Sequence, residues 1–476
     1  MARINTNVGA VIAQRNLNSS YKLLNGTLER LSTGLRVNRG KDDPAGLIVS
    51  ERLRSEIGAV DQAMKNTQRA SNIIATTEGA LDEVANLLRD IQELIVGAAN
   101  RGALSDDEIR ANQLQIDSAI QSITRISSST TFAGRSLLNG SLDYITSGLD
   151  GSVVDALSVH GVQFGDRAYV PVNINVTTSA QPANLYFTGS AIAQSVTIKV
   201  EGSGGVTALS FVSGTTASAM VEAINAVTAA TGVEATLSAT ATSGFTLSST
   251  ELGSKHFVSI QTLPGGGTFA LVDENGQPDA RDEGRDAVAT INGALSLGDG
   301  NRLAIKTATM DMELSLDSTF GIGTTSFAIV EGGALFQVGA RVNSNLQIGV
   351  GIQSIAATDL GNSGIGFLSQ IQSDGEYSLL KHQETQAQRI VDEAIKQVSV
   401  LRGRLGAFEK NTLETNVNQL GITMENLMAS ESSIRDADFA AETAALSRNQ
   451  VLVASGTTVL GLANQTPQSV LRLLGG

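Results

Sequence analysis

Three histidines, His160, His256 and His382, are the side chains best suited to proton transfer or metal ligation near neutral pH, and they stand far apart in the chain. The run around His382, Lys-His-Gln-Glu-Thr, lacks the H-E-x-x-H spacing that places two imidazoles and a general base on one helix face. All three read as surface histidines. The stretch DENGQPDARDEGRD, Asp273 to Asp286, is dense in carboxylates without the alternate spacing of a calcium loop, so it reads as a solvated turn. The glycines of LPGGGTF and GNSGIGF neither follow a strand nor open a helix with the lysine or acidic partner of a phosphate site, and read as turn glycines. Asp42 and Asp43 could bind a cation or share a proton. Directly ahead of Pro44, which suits the first position of a helix, they are better explained as capping groups at its positive end. The chain has no cysteine, which removes disulfides, thiolate metal sites and thiol nucleophiles together. No catalytic set, cofactor site or metal site is expected, and the chain does not read as an enzyme.

Composition points the same way. The 476 residues suffice for two to four domains, and 41% apolar with 17% charged residues fits an ordered chain. A net charge of -14 argues against nucleic acid, whose phosphates select a basic surface. There is no apolar run of about 18 residues and no basic start leading into a continuous apolar segment, so neither membrane insertion nor a Sec-type signal is expected. The absence of Trp, the 4% aromatic content and the 49 glycines do not favour an aromatic-lined pocket.

The elements that position these residues fall into three stretches. From Met1 to about Asn139, and from about Tyr377 to the end, apolar residues recur at helical spacing. Between them, short alternating runs bounded by Gly, as in SVTIKVEGSGGVTALSF, predict strands and hairpins. One helix is predicted inside this β region, at TASAMVEAINAVTAATG. The expected fold class is α+β and multidomain, with long terminal α-helices paired as coiled coils and a mainly β central insertion.

The terminal helices carry narrow apolar seams. Leu17, Tyr21, Leu24, Leu28, Leu31 and Leu35 alternate at spacings of four and three. A second seam runs Ile74, Thr77, Leu81, Val84, Leu88, Ile91 and Ile95. A third runs Ala387, Val391, Ala394, Val398, Leu401, Leu405 and Phe408, then skips five residues to Leu413, Val417, Leu420, Met424 and Leu427. Such a skip is expected to change the local supercoil winding. Each seam needs a helical partner, and periodicity alone leaves open whether the same subunit or a neighbour supplies it. Charge narrows the choice. Residues 1–54 carry nine Lys/Arg against four Asp/Glu, net +5, and residues 409–448 carry three against seven, net -4. The two ends are complementary in sign, which sets partner and orientation more than it adds stability. The polar link Asn38, Arg39, Lys41, Asp42, Asp43 and Pro44 then reads as a spoke between two helical layers, because the residue before a proline avoids helical backbone.

These stretches resemble a known family. INTNVGAVIAQRNLNSSYKLLNGTLERLSTGLRVNRGKDDPAGLIVSERLRSEI, IATTEGALDEVANLLRDIQEL and TTFAGRSLLNG are similar to the N-terminal region of bacterial flagellins. The segment from LRGRLGAFEKNTLETNVNQL through SSIRDADFAAETAALSRNQVLVASG is similar to their C-terminal region. RDAVATINGALSLGDGNRLAI also resembles a short repeat of the outer part of many flagellins. The resemblance implies a secreted, extracellular filament subunit that polymerises with copies of itself. Residues 1–40 plus 436–476 would form an inner helical core, 41–150 plus 375–435 an outer helical core, and 151–374 one or more projecting, mainly β domains. It also implies passage through a flagellar type III export apparatus with an export chaperone, and contact with filament cap and hook-associated proteins. A hook–filament junction protein shares the helical ends and is the alternative within that system; an enzyme displayed on the filament is the alternative from another class. Many flagellins are detected by an innate immune receptor through a segment matching LLRDIQELIVGAAN. Aligned on Glu93-Leu94, the family's key arginine position holds Asp90, with Arg89 one residue earlier and Leu94 kept, and a usual glutamate position holds Gln115. A weakened receptor contact is therefore expected.

Overall fold

The computed structural model describes residues 6–165, 167–238, 244–264 and 266–474. The first helix, α1 (Val8–Thr33), starts where the Asn7 side chain accepts from the Ala10 amide at 3.1 Å. It stops at Gly34, whose φ of +72° suits glycine and whose amide donates to the Arg30 carbonyl. The next helix, α2 (Pro44–Ala98), opens on the proline that the sequence marks as a helix start. A reciprocal Ser105/Glu108 capping box begins α3 (Asp106–Ser129). The region after it is mainly β and holds the short helices α4 (Ala217–Asn225) and α5 (Thr228–Thr231). Thr216 caps α4, inside the segment read as helical. Helices α6 (Glu384–Phe408), α7 (Thr415–Arg435) and α8 (Phe439–Leu474) complete the chain.

The five-residue skip after Phe408 is taken up locally. Residues Glu409–Glu414 form a π-helical turn between α6 and α7, which absorbs an extra residue in one turn instead of spreading a change of winding along the helix. Leu413, the first seam residue past the skip, is buried as a result.

The described residues fall into two compact units, one within Met1–Arg69, Val338–Val342 and Thr412–Gly476, the other within Ala70–Gln337 and Asn343–Asn411. In the first, α1 pairs with α8, and the start of α2 pairs with α7. As α7 advances from Asn416 to Arg435 its partners on α2 recede, from Thr67 (3.1 Å) to Glu51 (2.9 Å), so these two run antiparallel. In the second unit α6 lies antiparallel to the rest of α2. Glu384 bonds Arg101, Asp392 accepts from Gln92 at 2.6 Å, and Arg402 meets Asp82 at 2.9 Å. Both seams expected for this pair are buried, from Ile74 to Ile95 and from Ala387 to Leu405. At about 1.5–3 kcal/mol for each large side chain buried, this packing outweighs helix propensity as the source of order.

The strands follow in chain order. A hairpin of β1 (Thr131–Phe132) and β2 (Arg135–Ser136) precedes β3 (Tyr144–Ser147), β4 (Val154–Val162) and β5 (Val170–Thr178). Next come β6 (Asn184–Phe187), β7 (Val196–Gly202), β8 (Gly205–Phe211), β9 (Val233–Leu237), β10 (Phe245–Ser249), β11 (Phe257–Thr262), β12 (Leu271–Val272) and β13 (Arg281–Glu283). Then follow β14 (Val288–Ile291), β15 (Ala294–Asp299), β16 (Arg302–Lys306), β17 (Met310–Leu316) and β18 (Gly323–Gly332). Two small hairpins end the series, β19 (Ala334–Gln337) with β20 (Gln347–Val350), and β21 (Gly361–Asn362) with β22 (Gly366–Phe367).

An antiparallel sheet of order β3-β18-β5-β14-β15-β16-β17-β4 buries alternate residues such as Val172, Ile174 and Val176 of β5 and Met312 and Leu314 of β17. Its first strand, Tyr144–Ser147, lies upstream of residue 151, where the β region was expected to begin. Between β5 and β14 the chain inserts two four-stranded sheets, β12-β6-β10-β9 and β13-β11-β7-β8, packed with α4 around Ile198, Val200, Met220, Phe245 and Leu247. The insertion leaves and returns at one point, where Gln181 and Arg285 exchange backbone hydrogen bonds of 2.9 Å.

Candidate assembly interface

The antiparallel pair of α1 and α8 is held along its length by four contacts. Asn7 donates to the Ala463 carbonyl at 2.7 Å, Asn449 donates to Thr27 at 3.0 Å, Arg30 meets Glu442 at 3.2 Å, and Leu35 bridges to Asp436. The covered face of α8 is Glu442, Leu446, Asn449, Val453, Gly456, Leu460 and Ala463, at spacings of four and three. The covered face of α1 is Ala10, Ala13, Leu17, Ser20, Leu24, Thr27 and Leu31 at the same spacing. Leu17, Leu24 and Leu31 lie in this contact, and Leu35 adjoins it. Tyr21 and Leu28 do not: they are 43% and 45% exposed. The structure puts small and polar residues, Ser20 and Thr27, where larger ones were sought. Small residues bring the helices close, and a Cβ added at Gly456 would stand 3.1 Å from Leu17 Cδ1. The signal that could have found this register is the matching spacing in α8.

Further large apolar side chains of the pair point outward. Val8, Val11, Ile12, Leu23 and Leu28 on α1, and Phe439, Val451, Leu452, Val459 and Leu462 on α8, are all exposed, Phe439 by 71% and Val451 by 67%. A two-helix pair that leaves this many large apolar side chains in water resembles one slice of a larger core. Leu413, in the π-helical turn, is buried; on α7, Val417, Leu420, Met424 and Leu427 are half-covered, and Ile422 and Met428 are exposed.

The link between α1 and α2 is built from local capping. Asn38 donates to the Leu35 carbonyl at 3.0 Å, Asp42 accepts from the Arg39 amide at 2.9 Å, and Asp43 accepts from the Gly46 amide at 2.9 Å. Both carboxylates are thus occupied with backbone donors at the start of α2. Arg39 also pairs with Glu29 at 2.7 Å, and Lys41 is exposed. Antiparallel to this link runs the α7–α8 junction: the Arg36 amide donates to the Arg435 carbonyl at 2.7 Å, and the Ala437 amide to the Gly34 carbonyl at 2.9 Å. Val37 is buried beneath them.

The other residues singled out in the sequence lie apart from this interface. His160 sits on β4 with its Nε2 buried, so it is not the surface histidine expected; the His256 Nδ1 lies 3.1 Å from the Ser203 hydroxyl, and His382, at the end of a short 3-10 turn, is exposed. Asp273 accepts from the amides of Asn275 and Gln277, closing a turn. Gly361–Phe367 forms the β21/β22 hairpin, whereas Gly265 of LPGGGTF lies outside the described residues. Among the described residues no group of three or more His, Asp or Glu is placed to hold a metal. Arg89, Asp90 and Gln115 are exposed and Leu94 is half-buried; Arg89 folds back to the Ala85 carbonyl at 3.2 Å and to Asn86.

Comparison with known proteins decides between a filament subunit and its alternatives. The model of the bacterial flagellin N-terminal helical region matches residues 4–143, and that of the C-terminal helical region matches 388–474. The B-type flagellin of Pseudomonas aeruginosa is 31% identical over 508 aligned residues, covering 99% of both chains. The chain belongs to the bacterial flagellin family. Flagellins of Salmonella muenchen and Salmonella typhimurium are 30% and 29% identical, again over 99% of both chains. This flagellin is a structural subunit that polymerises into the helical, extracellular filament of the bacterial flagellum, which serves motility. The model of the flagellin hook IN motif matches residues 195–251, so the resemblance drawn from residues 285–305 lies outside the matched stretch.

Proposed function

We propose that this flagellin builds the filament core from the α1/α8 pair, with residues 1–40 and 436–476 as the inner layer. Residues 41–150 and 375–435 form the outer helical layer, and 151–374 project from it. The observation that carries this reading is the exterior of the α1/α8 pair, where Val8, Val11, Ile12, Phe439, Val451 and Val459 stand exposed to water. Copies of the same chain cover that exterior. The spoke from Asn38 to Pro44 fixes the step between layers, and the complementary charges of the two chain ends orient the pair. The subunit acts as a scaffold and performs no catalysis. It reaches its site through the type III apparatus with an export chaperone, and meets cap and hook-associated proteins at the filament ends.

The test is elongation of filament seeds by purified subunit, followed by electron microscopy. Val451→Asp on the exposed flank should abolish elongation while leaving the monomer folded, since burying an unpaired carboxylate is strongly unfavourable. Leu24→Asp, within the α1/α8 contact, and Leu427→Asp should also abolish elongation. Excising residues 182–284 between the paired Gln181 and Arg285 should leave elongation intact. A wider cut from 180 to 320 would instead remove β14 to β17 from the eight-stranded sheet. Filaments formed by Val451→Asp at the normal rate would sink the core assignment.

A further inference from the structure

A sheet edge exposes unpaired backbone groups that invite another strand, and proteins blunt such edges with charge, shortness or covering groups. Five of the six edges of the three larger sheets are blunted here. At β9 the Asn225 side chain takes both outward groups of Ala235, donating to its carbonyl at 2.9 Å and accepting from its amide at 2.7 Å. At β13 the strand is Arg281, Asp282 and Glu283, all charged. At β4 the Gly351 amide bonds the His160 carbonyl at 2.8 Å and the Tyr144 hydroxyl accepts from the Val162 amide at 3.0 Å. The strands β3 and β12 are short, with four and two residues.

The sixth edge is β8, and it carries none of these devices. It pairs with β7 in unbroken register from Gly205↔Gly202 to Phe211↔Val196, without a bulge. In an antiparallel ladder closed by the two-residue turn Ser203-Gly204, alternate residues face the partner, so Val206, Ala208 and Ser210 direct their amides and carbonyls away from β7. All three are exposed, Val206 by 53%. Among the described residues no other group bonds to the outer edge of β8. From Ser203 to Val221 the sequence has no charged residue and no proline, in a chain of net charge -14. Val212, 71% exposed, extends the apolar strip.

We propose that β8 is a homotypic docking edge, at which two copies of this flagellin in neighbouring filaments pair antiparallel. Three features select a second copy as the occupant. The strand pairs with itself about Ala208, setting Val206 opposite Ser210 and Thr207 opposite Leu209, so no like charges meet. Among the described residues the other edges of the three larger sheets are closed, so a copy meets this edge with its own β8, which makes the contact two-fold. A two-fold needs a reversed partner, and copies along one helical filament all point the same way, so the partner belongs to another filament. One such pairing is weak, because an isolated strand pair is marginal in water. A row of subunits supplies many at once, and lateral association becomes strong through multivalency.

The proposal rests on the subunit being displayed on a filament, so filament length and filament association are read separately. Filaments grown from the full chain are examined by electron microscopy and low-speed sedimentation at ionic strengths from about 0.01 to 0.15 M, which shortens the screening length of the acidic surfaces from about 30 to about 8 Å. Wild-type filaments should bundle as salt rises. Ala208→Lys, and Ala208→Pro, which removes only an outward amide, should lower the sedimented fraction roughly ten-fold at unchanged filament length. Because the chain has no cysteine, single substitutions report the register. Oxidised Ala208→Cys filaments should yield disulfide-linked dimers, while Val206→Cys and Ser210→Cys filaments should cross-link when mixed and not alone. Wild-type filaments that stay dispersed at every salt concentration, sedimentation unaffected by Ala208→Lys, or Val206→Cys filaments that cross-link alone would each overturn the proposal. Capture of a different protein's strand by dispersed filaments would do so as well.

Discussion

Asn449 on α8 donates its side-chain amide to the hydroxyl of Thr27 on α1 at 3.0 Å, with both residues under 10% exposed. The Thr27 hydroxyl donates in turn to the Leu23 carbonyl at 3.0 Å, so its single proton is committed and its oxygen is left to accept. A buried polar pair in a coiled-coil seam fixes register at some expense of stability. Sliding either helix by one turn would bury the Asn449 amide without a partner.

Thr27→Val should therefore cost about 1–3 kcal/mol, the desolvation of an amide left unpaired. Thr27→Val combined with Asn449→Leu should restore stability, because an apolar pair replaces the whole interaction. Calorimetry of the filaments checks this: the single variant should melt several degrees lower and the double variant near or above wild type. A double variant as weak as the single would show that the hydrogen bond is not what Asn449 contributes.

This pair also shows where the sequence is legible. The seams of α2 and α6 are long, apolar and periodic, and they are buried as the spacing indicates. On α1, Tyr21 and Leu28 stand outside the contact with α8, because periodicity weighs large side chains, whereas close helix pairing selects Ser20, Thr27 and, across the seam, Gly456. The capping roles of Asp42 and Asp43 were readable since caps are local. Sheet order was not, because strand pairing such as β5 with β18 joins residues far apart in the chain, and alternation gives a strand's faces but not its neighbours.

The π-helical turn at Glu409–Glu414 carries one residue more than α-helical winding needs, and so keeps the seams before and after it on one side. Deleting Asn411 should convert it to ordinary α-helix with both seams still aligned, and circular dichroism should show unchanged helicity with a melting temperature within a few degrees. Inserting one alanine after Val398, in regular helix, should rotate everything beyond it by about 100° and abolish assembly. If the deletion were as damaging as the insertion, the turn would have a role beyond register.

His160 predicts an acid sensitivity. Its Nε2 is buried without a hydrogen-bond partner, and burial, followed by the nearby charges of Arg404 and Lys306, pushes its pKa down to about 3. The unfolded imidazole takes a proton near 6.5, so between these values the unfolded state binds more protons than the native one. Stability must then fall as pH drops from about 6.5 towards 3. Arg404 itself pairs with Glu313 at 3.5 Å. His160→Gln should flatten the dependence of melting temperature on pH between 6.5 and 4, with little change at pH 8. Parallel curves for variant and wild type would remove His160 as the cause.

The receptor contact is the last point at which sequence and geometry bear on each other. The resemblance to flagellins that an innate receptor detects implies an arginine where Asp90 stands, and the question is whether Arg89 can replace it. On a helix the neighbouring position points about 100° away. The Arg89 side chain is also turned back along α2, with Nε on the Ala85 carbonyl at 3.2 Å and the guanidinium on Asn86. Reaching across would break both bonds and bring the cation beside the exposed Asp90 carboxylate. The resemblance implies that, with Gln115 in place of a glutamate as well, two charged positions of such a contact differ while Leu94 is kept. Removing a central interface arginine loses about 2 kcal/mol or more, a factor of about thirty in affinity. Soluble monomer should thus activate a receptor reporter cell weakly. Asp90→Arg should raise its potency by an order of magnitude or more, and Asn86→Ala, which frees Arg89, by less. Equal and strong activation by wild type and Asp90→Arg would show that the contact does not depend on that position.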